Sequence, residues 1–256
     1  MQSALYNIAF MVPSGAANAL PRDTIVLTAT FRAPLTPTLV VRDEHTRIQQ
    51  YMCALVSWAQ TRRIRRIILG ENSNTRFDFS RIVRHLEAAG KEVELLVFDG
   101  NKESPRFGKG FGEGEILERV YTHSRLLRMT DTFYKVTGRL FVRNFDEVSA
   151  ATESRHAFRR KYGKPGNPSK VDTTFFKCGL DLFERRLLHA YRQVDDTKRM
   201  FIEHMYFNQL SETDAGGFSL SPELVGQQAS TGKVYAPYDD EVVRTAAEMS
   251  PGISFV

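Results

Sequence analysis

The sequence of 256 residues contains only two cysteines, Cys53 and Cys178, and both stand among apolar neighbours. Isolated cysteines of this kind are typical of buried free thiols in a reducing compartment, so no disulfide-stabilised secreted fold is expected. The sequence also lacks cysteine and histidine at the spacings of metal-binding motifs. This absence argues against the common zinc-binding modules.

Long apolar runs are also missing. No run approaches the roughly 18 consecutive apolar residues of a membrane-spanning helix. The short apolar segment near the N-terminus is not preceded by basic residues, which argues against a signal peptide. We therefore expect a cytoplasmic protein.

The sequence does have an excess of positive charge, with 35 Lys and Arg against 30 Asp and Glu and a net charge of +5. Such an excess suggests an anionic partner, and nucleic acid, an acidic membrane surface and a nucleotide all fit it.

The first hundred residues alternate between β-branched apolar runs and amphipathic segments. Strands are predicted at residues 23–31, at the start of 65–74, which runs on into a polar turn, and at 92–98, with helices at 42–61 and 79–89 between them. This alternation predicts a parallel sheet with right-handed crossovers. The expected fold class is therefore α/β, a Rossmann-type, mostly parallel sheet flanked by helices.

Residues 131–144 form an apolar, β-branched run that we predict as one buried strand containing Lys135, Thr137, Arg139 and Asn144. Two buried cations are costly unless an anion lies opposite them. Because open α/β sheets bind ligands at the carboxyl ends of their strands, the expected anion is a phosphate group.

A glycine-rich segment at residues 107–114 precedes a helix predicted from about residue 113 to 129. It matches neither the P-loop nor the dinucleotide-binding motif. We predict a flexible loop in which Lys109 and Gly110 lead into a helix N-terminus that receives a phosphate or a sugar hydroxyl. Glu113 fits the same helix start equally well as a simple capping residue.

Other polar side chains are expected at this edge of the sheet. Glu71, Asn72 and Ser73 follow the second predicted strand and offer the donors and acceptors that a pyrimidine base requires. The alternative is a polar turn that caps the next helix. Arg47 is expected either to reach a phosphate or to lie on an exposed helix face.

In the C-terminal half, residues 151–171 are rich in Arg and Lys and predict an exposed basic loop. Contact with anionic lipid headgroups is the alternative for this segment. A strand is predicted at 171–176 and helices at 181–193 and 198–210, whereas the tail from residue 211 shows little periodicity.

Taken in order, these features resemble bacterial glycosyltransferases of the GT-A type from lipopolysaccharide and capsule gene clusters, which contain a Lys-x-Thr-Gly-Arg segment. The resemblance covers residues 23–235. Its landmarks are Arg47, Gln50, Glu71 to Ser73, Gly108 to Glu113, Lys135 to Arg139 and Asn144, followed by the segments at 171–175, 202–204 and 226–232 and by Tyr235.

The resemblance implies a nucleotide-sugar donor in residues 1–150 and a glycan or lipid-linked glycan acceptor in a helical region, 151–256, of the same compact unit. GT-A enzymes usually end the fourth strand with a D-x-D motif that binds a divalent metal. Here Lys135 to Arg139 occupies that place. Cations can neutralise a departing phosphate directly, so the resemblance implies an inverting, metal-independent transferase that needs no cofactor.

The implied site residues fall into three groups. Glu203 is the expected catalytic base, with Asp172, Asp195 and Asp196 as alternatives, and Lys135 and Arg139 are the catalytic cations. The expected donor-binding residues are Arg47, Glu71, Asn72, Ser73, Lys109, Gly110, Glu113, Thr137 and Asn144. The expected acceptor-binding residues are Asp172, His204, Ser230 and Thr231.

Two other function classes remain as alternatives. A basic α/β protein that binds nucleic acid or regulates another protein would use the positive surface, but the sequence has no RNP-like or helix-turn-helix motif. A different nucleotide-dependent transferase is disfavoured because the sequence has no P-loop. We therefore expect no nucleic-acid partner, and a cytoplasmic enzyme with peripheral contact to the inner membrane as an alternative location.

Overall fold

The computed structural model describes the backbone of residues 6–9 and, in full, residues 23–34, 39–164, 168–211, 214, 216–228 and 231–252. The strands in this part of the chain are β1 (Tyr6–Ala9), β2 (Asp23–Ala29), β3 (Ile64–Glu71), β4 (Glu92–Val97), β5 (Thr132–Thr137), β6 (Leu140–Val142), β7 (Arg160–Lys161), β8 (Lys170–Val171), β9 (Phe175–Gly179), β10 (Leu224–Gln227) and β11 (Val234–Ala236).

The central sheet has six strands in the order β1-β4-β3-β2-β5-β9. Strands β4, β3, β2 and β5 are parallel, whereas the edge strands β1 and β9 run antiparallel to their neighbours. The prediction of an α/β fold with a mostly parallel sheet is confirmed.

The helices are α1 (Glu44–Ala59), α2 (Ser80–Ala88), α3 (Ser104–Phe107), α4 (Lys109–His123), α5 (Phe145–Ala151), α6 (Leu180–Leu182), α7 (Ile202–Gln209) and α8 (Asp240–Met249). Local chemistry explains their ends. Asp43 accepts the Thr46 backbone N–H at 2.7 Å and so caps α1. Gly90, with φ of 78°, follows α2 and ends it in the left-handed conformation that glycine adopts at low cost.

Alternating side chains of the central strands build two cores. Ile25 and Leu27 of β2 face one side with α1, α2 and α8, whereas Val26 and Ile68 face the other side with α4 and α7. This alternation is the period of two expected for a strand covered on both faces. Because both faces of the sheet are covered, a ligand can reach the strands only at their ends.

The run at 131–144 is not one strand. Strand β5 ends at Thr137, the chain turns at Gly138 and Arg139, and β6 joins a second sheet with β10 and β11. The turn needs glycine because a Cβ at Gly138 would lie 2.8 Å from the carbonyl oxygen of Thr28. Arg139 is thereby placed beside the carboxyl ends of β2 and β5.

The glycine-rich segment is helical, so its prediction as a loop was wrong. Helix α4 begins at Lys109 and ends at His123. The glycines allow close packing: a Cβ at Gly114 would lie 2.0 Å from Cβ of Tyr191, and a Cβ at Gly110 would lie 3.0 Å from Cβ of Ile202. The contacts that require glycine come from residues far away in sequence, which a local pattern does not reveal.

The C-terminal half also differs from its predicted elements. The helix expected at 181–193 is divided into α6, a π-helical turn at Phe183–Leu187 and a 3-10 turn at Ala190–Gln193. The tail from residue 211 contains α8, which was not predicted and which packs against α1. Strand β9 pairs with β5 and β10 pairs with β6, so both halves of the chain share sheets.

Within the described ranges, none of the helices combines the length and the apolar character needed to cross a membrane.

Candidate functional site

A cleft of about 120 Å³ lies at the carboxyl ends of β2 and β5, between α1, α4 and α7. This is the position predicted by the general rule for open α/β sheets. Seven of the predicted site residues line it: Arg47, Lys109, Gly110, Glu113, Thr137, Arg139 and Glu203.

Arg139 is only 3% exposed. Its Nη1 donates to Oε1 of Gln50 at 2.9 Å and to the carbonyl oxygen of Gln227 at 3.1 Å, while its buried Nε has no hydrogen-bond partner in the described structure. No described carboxylate forms an ion pair with it. Burial lowers the pKa of the guanidinium, because a charge removed from water without a counter-ion is disfavoured.

Arg47 is also buried and has no ion pair with a described carboxylate. It is 4% exposed and donates to the carbonyl oxygens of Thr30, at 2.8 Å from Nε, and of Val41, at 3.1 Å from Nη1. The guanidinium carbons of Arg47 and Arg139 lie 5.9 and 6.0 Å from the ring centroid of Tyr51. Two like charges therefore share one aromatic ring, and an anion between them would relieve their repulsion.

Lys135 lies beneath the cleft and is fully buried. Its Nζ forms an ion pair with Glu113 and donates to the carbonyl oxygen of Thr173 at 2.6 Å. The Glu113 side chain is 21% exposed. The chain therefore compensates Lys135 itself, unlike Arg139 and Arg47.

Glu203 lies on α7 and lines the cleft, with no ion pair or hydrogen bond to another described side chain. Asp196 lies nearby, against Gly108 at the start of α4. Burial raises the pKa of Asp196; Lys109 opposes this rise, and the negative charge of Glu203 adds to it. Glu203 on α7 and Asp196 on the turn that precedes α7 thus place two carboxylates near Lys109 at the start of α4.

Glu71, Asn72 and Ser73 are not among the residues that line the cleft. The Glu71 carboxylate accepts the backbone N–H groups of Phe31 at 2.9 Å and Ser73 at 3.0 Å, and burial raises its pKa. Asn72 accepts a hydrogen bond from Thr30 and donates to the carbonyl oxygen of Gly112. In this structure, these side chains join the ends of β2, β3 and α4.

Asn144 lies outside the cleft, where its side chain bonds to the backbone of Ser221 at 3.0 Å and Glu223 at 2.9 Å. Asp172 forms an ion pair with Arg159 at 2.7 Å and directly precedes Thr173, which lines the cleft. Asp172 is therefore adjacent to the cleft wall, and Asn144 is not.

The other predicted acceptor residues are dispersed. His204 contacts the carbonyl oxygen of Arg199 through Nδ1 at 3.1 Å and does not line the cleft. Thr231 donates to Oε1 of Gln228 at 2.8 Å, next to the cleft, and Ser230 lies outside the described residues.

Tyr51 is a part of this site that was not predicted, and Gln227 and Thr173 lie in the landmark segments 226–232 and 171–175 but were given no role. Tyr51 had a detectable signal, since it follows Arg47 by one helical turn on the buried face of α1. Gln227 stands at the end of β10 and Thr173 in the link between β8 and β9. Their carbonyl oxygens accept hydrogen bonds from Arg139 and Lys135, respectively, contacts for which the sequence has no local signal. Among the described residues, no group of three or more His, Cys, Asp or Glu side chains is arranged to hold a metal ion.

No protein-family model and no curated protein matches this sequence. Similar solved structures include HddC from Yersinia pseudotuberculosis, at 9% identity over 88% of this chain and 98% of that chain, with a TM-score of 0.47. The bifunctional glycosyltransferase WbbM is 11% identical over 80% of this chain and 40% of its own, with a TM-score of 0.49. The glycosyltransferase GlyE from Streptococcus pneumoniae TIGR4 is 11% identical over 78% and 45%, also at 0.49.

The chain spans less than half the length of WbbM and GlyE. Similarity at this level supports no argument about activity, so the functional argument depends on the chemistry of the cleft.

Proposed function

We propose that this protein is a glycosyltransferase that uses a nucleotide-sugar donor and binds the donor's phosphates at Arg139 and Arg47. The observation that supports this most is the environment of Arg139, a buried guanidinium with a free Nε and no carboxylate partner among the described residues. A phosphate oxygen would supply both the missing acceptor and the missing charge. The position of the cleft at the strand ends fits such a donor.

In the proposed reaction, the oxygen of an acceptor hydroxyl forms a bond to the anomeric carbon of the sugar. The bond between that carbon and the phosphate oxygen breaks, and the electron pair leaves with the nucleotide. Glu203 takes the hydroxyl proton, which corresponds to an inverting transfer. Arg139 neutralises the charge that develops on the leaving phosphate, with Arg47 beside it. Lys135, predicted as a second catalytic cation, lies beneath the cleft and is already paired with Glu113, so its role in the proposal is to hold Glu113 in the cleft wall.

The proposal includes independence from a divalent metal, because Lys135 to Arg139, at the end of β5, stand where a D-x-D motif would supply carboxylates. It also includes a bacterial surface glycan, of lipopolysaccharide or capsule, as the acceptor. Asp172, which precedes the cleft-lining Thr173 and Thr174, is the predicted acceptor residue best supported by its position.

A thermal-shift screen tests this class of function. The purified protein would be heated with UDP-, GDP- and CMP-sugars, ATP and short oligonucleotides, each with and without excess EDTA. We expect one nucleotide sugar to raise the melting temperature, with or without EDTA, and then to transfer its sugar to a glycan acceptor. Stabilisation by oligonucleotides alone, or by no nucleotide, would contradict the proposal.

A further inference from the structure

A second surface has charge that the chain does not neutralise: the hairpin of β7 and β8. Between residues 155 and 170 the sequence has six Arg and Lys residues and no Asp or Glu. Lys161, Tyr162 and Lys164 are exposed at this hairpin, and 65% of the surface of Tyr162 is accessible.

The cations of this segment fall into two groups. Arg155 and Arg159 form ion pairs with Asp181 and Asp172. The other four, Arg160, Lys161, Lys164 and Lys170, have no ion pair with any described residue, whereas the exposed lysines 102 and 198 each pair with an aspartate three residues before them. The hairpin therefore presents a local surplus of positive charge.

An aromatic pair accompanies this charge. The Tyr162 ring meets the ring of Phe207 on α7 edge-on, with centroids 5.9 Å apart, and the Arg160 guanidinium lies 5.8 Å from the Phe207 centroid. A tyrosine whose ring contacts one neighbouring ring and most of whose surface is exposed suits the boundary between apolar and aqueous phases, where tyrosine is enriched.

The hairpin is connected directly to the cleft wall. Strand β8 ends at Val171, and the chain then continues through Asp172 to the cleft-lining Thr173 and Thr174. The ion pair between Arg159 and Asp172 joins the two sides of the hairpin at its base. A surface bound by the hairpin would therefore lie beside the cleft.

We propose that the β7–β8 hairpin docks the protein on a bilayer that contains anionic phospholipid headgroups. Lysines near such a surface are attracted by its negative potential, and Tyr162 supplies an interfacial aromatic group. Nucleic acid fits less well, because proteins that bind single strands stack successive bases on several aromatic side chains, whereas Tyr162 is the single large exposed aromatic among the described residues. The proposal does not depend on the donor or on the transfer reaction.

Vesicle co-sedimentation tests this proposal with the full chain. We expect the protein to sediment with phosphatidylcholine vesicles that contain phosphatidylglycerol, and not with phosphatidylcholine alone. Replacing Lys161, Lys164 and Lys170 with Glu should lower the binding constant by about a hundredfold, because each lysine near an anionic surface contributes about fivefold. Tyr162→Ala should cause a smaller loss of vesicle binding. Because this contribution is not electrostatic, the loss should also be seen at high salt.

The matched control replaces Arg62, Arg84 and Arg125 with Glu, since these arginines are exposed on other elements and the change in net charge is the same. This control should still bind the anionic vesicles. An equal loss of vesicle binding in both triple variants would overturn the proposal, because binding would then depend on the net charge of the protein and not on the hairpin. Equal binding to neutral vesicles, or preferential binding of single-stranded RNA that prevents sedimentation, would also overturn it.

Discussion

Cations at the two ends of the central sheet have different partners. At the amino ends of the strands, the chain pairs most cations with its own carboxylates: Arg63 lies 3.5 Å from Asp23, and Arg66 lies 3.2 Å from Glu92. At the carboxyl ends, Arg47 and Arg139 are more deeply buried and contact neutral acceptors.

This difference separates charges that stabilise the fold from charges suited to a ligand. A buried ion without a counter-ion costs several kcal/mol, so a fold rarely places two of them together for stability alone. The charges at the amino end therefore need no ligand for their compensation, whereas at the carboxyl end we propose that a bound anion compensates Arg47 and Arg139.

The largest expected effect concerns the unpaired carboxylate of the cleft. Glu203→Gln should lower kcat about a thousandfold, the scale on which a lost general base acts, while leaving the dissociation constant of the donor unchanged. Steady-state kinetics and calorimetry with the donor identified by thermal shift would measure both.

Glu241→Gln, an exposed change on α8, is the matched control for Glu203 and should keep full activity. Normal turnover in Glu203→Gln would rule out its role as the base. Loss of turnover in Asp196→Asn instead would assign that role to the neighbouring carboxylate.

The next effect concerns Lys135, the cation beneath the cleft whose charge is compensated by Glu113. Glu113→Gln should lower the free energy of unfolding by about 3 kcal/mol, because it leaves the fully buried Lys135 without its counter-ion. Urea unfolding would measure this loss.

The double variant Glu113→Gln with Lys135→Met removes both charges and should recover most of the stability lost in Glu113→Gln. If Glu113→Gln were as stable as the wild type, the ion pair would contribute nothing to folding stability. Lys135 would then not differ from Arg47 and Arg139 in needing a carboxylate of the chain.

The smallest of these effects concerns Lys91, a buried cation near the amino ends of the strands that, unlike its neighbours, has no ion pair with a described carboxylate. Lys91 is buried and donates to the carbonyl oxygens of Thr61 and Ile64, and burial lowers its pKa from 10.5 to about 8. Between about pH 8 and 10.5 the unfolded chain binds more protons at this group than the folded one, so stability should rise with pH.

Over that range the rise attributable to Lys91 should be on the order of 2 kcal/mol. It is measured as the difference in pH dependence between the wild type and Lys91→Met in urea unfolding. Parallel pH profiles for the two proteins would show that Lys91 is not perturbed.

The sequence pattern predicted the strands and helices whose formation depends mainly on residues that are neighbours in the chain. Strands β2, β3 and β4 and helices α1 and α2 follow from hydrophobic periodicity, and with them the edge at which the cleft lies. The burial of Lys135 and Arg139 was also predicted, because charged residues interrupt an otherwise apolar run there.

Contacts between distant segments explain what the sequence did not reveal. The glycines of α4 accommodate Tyr191 and Ile202, and Gly138 turns the chain because it meets the backbone of Thr28. Glu113, the partner of Lys135, lies 22 residues before it. Glu71 and Asn72 follow a strand end as predicted, yet neighbouring segments occupy their hydrogen-bonding groups.

The most direct test of the comparison measures Arg139→Met against Arg63→Met, an arginine without a counter-ion at one end of the sheet and an ion-paired arginine at the other. Calorimetry with the nucleotide sugar should show about thirtyfold weaker binding for Arg139→Met, on the scale of a lost charge-assisted hydrogen bond, and no loss of melting temperature. Arg63→Met should bind the donor as tightly as the wild type and have a lower melting temperature. Unchanged donor affinity in Arg139→Met would contradict the account.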